Sequence, residues 1–348
     1  MKRELRRILA LLALAVLAPG GRASGQTNSQ YYFIRQIPLG GVAGSPSLTI
    51  DAEGRRLYIT HSTHIDLVNL DTGDPCGVIS NVPSPRGLAI VPKLHRGFVS
   101  NSREGSVSLL GLTTQAVTAN LKAAAGTVSM LYEPGRGEVY AFNTRALSAT
   151  VLDADSGAIV ATIPIPAKPG NAVADSGLDR VYCTLFDRNE VAVLNTKNHT
   201  FTGAWPLKPG KEPAGLAVDS ENHRLFVGCR NKRLILLDDH SGKVLSSVPI
   251  GAGVDATAFD PSTHLVFCSG SDGTTTIARA ETPDTLAVIQ TLHTEKNARL
   301  MALDPLTHKI YLATTDYEAQ LDPDPGVPAP RPRTLPDSFK LLVYGAAP

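Results

Sequence analysis

From residue 31 onward, apolar and polar residues alternate over runs of five to eight, and Gly, Pro, Asn or Asp interrupts each run. Alternation over such lengths, bounded by turn residues, marks short half-buried strands. No stretch repeats apolar residues at helical spacing over three turns. Residues 214–250 are representative. AGLAVD (214–219) predicts a first strand and SENHR a turn. RLFVG (224–228) and RLILLDD (233–239) predict the second and third strands. The tight turn HSG then leads to KVLSSVPI (243–250), the fourth.

This group of four recurs. DPSTHLVFCSGSD (260–272) is written again as DPLTHKIYLATTD (304–316). An acidic or turn position stands seven residues before an aromatic in seven pairs: Asp51 and Tyr58, Val91 and Phe98, Glu133 and Tyr140, Asp175 and Tyr182, Asp219 and Phe226, Asp260 and Phe267, and Asp304 and Tyr311. Successive aromatics lie 40 to 44 residues apart. A period near 42 built from four antiparallel strands predicts an all-β fold, a seven-bladed β-propeller. One blade cannot cover both of its faces, so blades stack around an axis, and the repeated aromatic is expected to pack between them. The last repeat stops at a third strand, FKLLVYG (339–345). The segment YYFIRQIPLGG (31–41) has the pattern of a fourth strand, like IVATIPIPAKPG (159–170). Residues 31–39 are therefore expected to pair with 339–345, closing the ring and removing an open edge.

Composition agrees: 30 Gly and 25 Pro suit many turns, and 43% apolar residues suffice for a core. The first residues change the picture of location. Lys2, Arg3, Arg6 and Arg7 precede an eleven-residue apolar run, Ile8 to Ala18, and the small residues Ala23-Ser24-Gly25. That reads as a secretory signal peptide over 1–25, with an uncleaved anchor as the alternative, and predicts a periplasmic or secreted protein with one domain over 26–348. Without the leader, 28 basic and 31 acidic residues leave a net charge of −3. Such a balance argues against bulk nonspecific nucleic-acid binding.

The phrases RLYIT (56–60), RVYCT (180–184), RLFVG (224–228) and KIYLA (309–313) each follow the repeated turn position. With strand ends such as VNLDTG (68–73), they resemble the YVTN-repeat (YncE-like) propellers of bacterial periplasmic and secreted proteins. The resemblance spans residues 31–345 and implies architecture rather than activity. Some members of that family are reported to bind nucleic acid or to act at the cell surface.

Motifs of known chemistry are missing: the chain has no GxSxG, HExxH, P-loop or GxGxxG. His95, His223, His264 and His308 stand three residues before the blade aromatic. Their shared register places them in separate blades and predicts turn formation rather than one metal centre. His61 and His64 share one loop beside Asp66 and are the metal candidates, with further ligands not evident. Cys76, Cys183, Cys229 and Cys268 include no CxxC. Free, mostly buried thiols are expected, with a Cys183–Cys229 bridge as the alternative.

On a propeller, ligands meet the loops around the central channel. The loops joining fourth to first and second to third strands carry Arg86, Arg103, Arg145, Lys168, Arg188, Lys211, Arg230 and Lys232 in blades two to five. Blades six, seven and one bring Asp255, Asp272, Asp316 and His64 instead, interrupted by Lys296 and Arg299. A basic half-face of this kind fits an anionic ligand or partner; the alternative is an ordinary solvated rim. Phe186 and Tyr317 are the main aromatics there, few for stacking bases. The last blade carries YEAQLDPDPGVPAPRPRTLPDS (317–338), whose six prolines predict an extended, unpaired lid or a disordered flap. These features predict a monomeric binding or scaffold protein that needs no cofactor and holds an unknown protein or a small anionic ligand. The alternatives are a lactonase-like propeller hydrolase and a periplasmic nucleic-acid binder.

Overall fold

Strands of four to nine residues, each with one apolar face, must find partners on both sides of their sheet, and a ring supplies them. The computed structural model describes residues 30–41, 46–61, 63–124, 126–318 and 333–347. The proposed signal peptide lies outside these residues. Seven four-stranded antiparallel sheets form seven blades. Blade five consists of Pro213–Asp219, Arg224–Cys229, Arg233–Asp238 and Val244–Pro249, within a residue or two of the strands expected from its pattern. The first strands of neighbouring blades touch all round the ring, which sets them nearest the axis.

Blade seven closes as its missing fourth strand requires. Leu300–Leu303, Ile310–Thr314 and Lys340–Ala346 are completed by Tyr31–Pro38 from the other end of the chain. The register runs from Tyr31 opposite Ala346 to Pro38 opposite Lys340. Tyr31 and Ile37 of this strand are almost wholly buried, so closure also hides apolar surface.

The core is divided into seven clusters, one in each seam between adjacent blades. Each seam receives one repeated aromatic from the preceding blade: Tyr58 faces blade two, Phe98 blade three, and so on to Tyr311, which faces blade one. All seven are buried. The repeat is thus a packing device that copies one interlock seven times.

The repeated acid has a local role. Asp51, Glu133, Asp175, Asp219 and Asp260 each end a first strand and Asp304 directly follows one, and each accepts a backbone N–H from two or three residues on. These are Asx-type turns, and an acid fits them because its oxygens replace a backbone acceptor. Four residues after this position, which Val91 fills in blade two, the chain enters the left-handed region in every blade: Arg55, His95, Gly137, Asp179, His223, His264 and His308 all have φ between +46° and +67°. The four histidines in common register are therefore turn residues, a setting in which His is enriched among non-glycines.

Two features were not visible in the pattern. The third and fourth strands shift register in every blade, once in six of them, as between Leu236 and Leu237, and twice in blade six. Such bulges add the twist that lets flat repeats stand as vanes around an axis. The proline-rich segment is also not unpaired at its base. Tyr317 bridges Thr334, Glu318 N–H donates to Arg333 at 2.9 Å, and Leu335 N–H donates to Asp316 at 2.8 Å. The backbone groups flanking the prolines retain their donors and pair with one another, which corrects the expectation of an unpaired segment over 317–318 and 333–335; residues 319–332 lie outside the described residues.

Candidate functional site

The candidate face carries the start of every first strand. These starts converge on the axis and enclose a cavity of about 250 Å³ at the channel mouth. Ser47, Arg86, Val128, Asn171, Ala214, Asp255 and Leu300 line it, one from each blade, with Thr184, Phe186 and Arg230 behind them. Two of the basic residues expected at the site, Arg86 and Arg230, meet there. The backbone carbonyl of Arg86 accepts bonds from Thr60 Oγ1, at 3.0 Å, and Ser47 Oγ, which fixes its Cα beside the opening. Its side chain is exposed, and no carboxylate pairs with it among the described residues. Arg230 lies over the Phe186 ring at 5.1 Å and donates to Asp255 at 3.0 Å, and Arg299 approaches the same carboxylate at 3.4 Å.

The other basic candidates stand farther out. Arg103, Arg145, Lys168 and Lys232 are exposed loop residues outside the cavity, and Arg188 is held by Glu190 at 3.1 Å. Of the residues taken as the acidic half, Asp255 joins Arg230 across the seam of blades five and six. Asp272 accepts from the Thr274 N–H of its own turn and from the Ala252 N–H of the adjoining loop, and Asp316 pairs with Lys340 at 2.7 Å. These acids therefore serve loop structure as well as surface charge.

The loop pair in blade one is assembled. His61 Nε2 lies 2.6 Å from Asp66, and His64 Nε2 lies 3.4 Å from its other oxygen. The rings stack at 4.5 Å, and His61 meets the Phe339 edge. Burial, followed by the neighbouring His61, holds His64 below the usual imidazole range. Asp66 supplies the third group that spacing alone left open.

A second group on the opposite face escaped the sequence reading. Asp239 is fully buried at the end of the third strand of blade five, between His223 and His240. Burial pushes its carboxyl up to about 6, with Asp175 adding repulsion. His223 also lines a cavity of about 580 Å³ with Leu131, Tyr132, Asp175 and Val218. The signal was present in "DDH" at 238–240, but only alignment of the repeats would have shown it.

All four cysteines are free; Cys76 is exposed and the others are buried. Cys183 faces the seam of blades three and four, and Cys229 that of four and five, so a blade separates the pair weighed as a bridge. Burial pushes the Cys229 and Cys268 thiols up to about 12, which makes them poor nucleophiles.

No family model matches the chain, and no curated protein matches it. Solved structures do. A chain of Kuenenia stuttgartiensis hydrazine synthase superposes with a TM-score of 0.68 at 14% identity, over 78% of this chain and 92% of that one. The WD40 propeller domain of Doa1 gives 0.68 at 13% identity, over 90% and 97%. At such identities the likeness establishes the fold: the chain is a seven-bladed β-propeller. Among the described residues, no helix is long and apolar enough to cross a membrane.

Proposed function

We propose that this chain is an exported, monomeric, non-catalytic propeller of the YVTN-repeat type that holds a small organic anion at its channel mouth. One observation carries the reading: first strands from all seven blades converge on a 250 Å³ cavity that presents Arg86 and Arg230. The volume lies just below the roughly 300–1,000 Å³ of drug-sized sites, which suits a small anion better than a polymer. The single acid in its lining, Asp255, is already engaged by Arg230 and Arg299. Hydrolysis of a lactone would call for clustered carboxylates, and Asp255 is the one acid of this lining, so the lining favours binding. Nucleic acid would call for open stacking surfaces, and Arg230 covers Phe186. The basic, then apolar, then small-residue start of the chain supports export, and the repeat phrases support the family.

Thermal unfolding in citrate and in inorganic phosphate, each against sodium chloride at equal ionic strength, tests the site. Binding to the folded state raises Tm by linkage. The rise should vanish in Arg86→Ala/Arg230→Ala. Equal Tm in all three salts, or a rise that survives the double substitution, would refute the assignment.

A further inference from the structure

One position in each blade lies three residues past the one that pairs with the repeated aromatic. In register these positions are Leu70, Leu112, Ala154, Thr196, Asp239, Ala280 and Ala346. Six blades fill the place with small or apolar residues, and blade five alone with a carboxylate. The packing of the seam does not ask for it. Nor is it satisfied as a buried polar group: neither oxygen of Asp239 has a hydrogen-bond partner. His240 Nδ1 lies 2.9 Å from Oδ1 and His223 Nδ1 lies 3.5 Å from it, so the polar groups beside the carboxylate are two imidazole nitrogens, each itself a metal-ligating atom. A buried carboxylate without donors is unfavourable unless something else compensates its charge.

The geometry points to a zinc-class divalent cation held by His223, Asp239 and His240. Ligand atoms about 2.1 Å from a tetrahedral ion lie roughly 3.4 Å from one another, and the two nitrogens stand 2.9 and 3.5 Å from the carboxylate oxygen. All three ligand atoms lie within 4.8 Å of one another. Two imidazoles with one carboxylate select zinc and its neighbours over calcium or magnesium, which prefer oxygen shells. Both histidines are half-exposed, so water reaches the fourth position.

The surrounding structure holds the ligands in place. The Asp239 N–H donates to the His223 carbonyl at 3.1 Å, joining the two turns. From blade four, Tyr182 Oη and Arg180 Nη1 donate to the Asp239 carbonyl at 2.9 and 2.5 Å. They grip the backbone and leave the carboxylate free. Trp205, the single tryptophan, packs directly on Gly242 of the same turn. It reports on the site from within the protein.

The test uses the untagged full chain in a His64→Ala background, so that the loop pair of blade one cannot contribute. Zn²⁺ is titrated by calorimetry after chelation and dialysis, and Ni²⁺ is followed by quenching of Trp205 emission. One Zn²⁺ per chain and Ni²⁺ quenching are expected. His240→Ala and Asp239→Ala, the latter copying blades three and six, should weaken Zn²⁺ at least about 100-fold, since outer-shell partners alone cost 10–100-fold. Both variants should keep the far-ultraviolet spectrum of the parent. Failure of the background protein to bind Zn²⁺ at millimolar concentration, or unchanged binding in the two folded variants, would overturn the assignment.

Discussion

The closing seam, between blades seven and one, and the seam between blades four and five each bury a carboxylate completely, with opposite outcomes. Asp304 accepts two parallel bonds from Arg55, at 2.9 and 2.8 Å, and a third from Thr307 at 2.6 Å. Burial by itself would raise its carboxyl; Arg55 and Thr307 outweigh it and hold the group below its ordinary value. Asp239 has no guanidinium or hydroxyl beside its carboxylate, only the imidazoles of His223 and His240, and burial pushes its carboxyl up to about 6. Burial of an acid is therefore not informative alone. Where the fold supplies donors, the acid is part of the fold; where it does not, the acid awaits something from outside.

The largest expected effect lies in the packing shared by both seams. Tyr311→Ala empties the aromatic place that closes the ring and should cost about 3–5 kcal/mol in urea unfolding; a cost near that of a surface change would show that closure does not depend on the repeated aromatic. Arg55→Ala puts Asp304 in the condition of Asp239. It should cost about 3–4 kcal/mol at neutral pH, the lower half of the range for a broken buried pair because Thr307 and the Leu306 N–H remain. Because the folded-state carboxyl is depressed, this stabilisation is present above its unfolded value, near 3.8, and is lost as pH falls through the folded value. The wild-type and Arg55→Ala stability curves should thus converge in acid, and parallel curves would contradict the pairing.

Asp239→Ala has the opposite sign. In chelator it should stabilise the protein by about 1–2 kcal/mol, because a buried carboxylate whose side-chain neighbours are only two half-exposed imidazoles is replaced by the residue other blades carry. Equal or lower stability would mean that Asp239 is satisfied without an ion. The smallest effect belongs to the channel mouth: Arg86→Ala should leave stability within about 0.5 kcal/mol, as for surface sites without partners. A larger loss would assign Arg86 to the fold rather than to a ligand.

Much of the architecture was legible before any coordinates. The offset of seven between acid and aromatic gave the blade count, and the truncated last repeat gave the closing strand, because strand pairing repeats whatever the residue pattern repeats. The acid and the following left-handed residue were legible as turn chemistry for the same reason. The candidate site was only partly legible. Reading loops in order named Arg86 and Arg230 but could not separate them from Arg103 or Lys168, since distance from the axis is not written in a loop's sequence. Asp255 looked like part of an acidic half until it lay against Arg230. His223 looked like one turn histidine among four, and its partners sit fifteen or more residues later on a neighbouring hairpin.

The chain by itself determined the blade, its number and its closure, because these depend on local alternation and on a period that every copy restates. Tertiary structure decided which charges are neutralised and which are left without partners. That outcome depends on distances across seams, where one blade supplies donors to the next and where a single departure from the repeat, Asp239, receives them at its backbone carbonyl and not at its carboxylate.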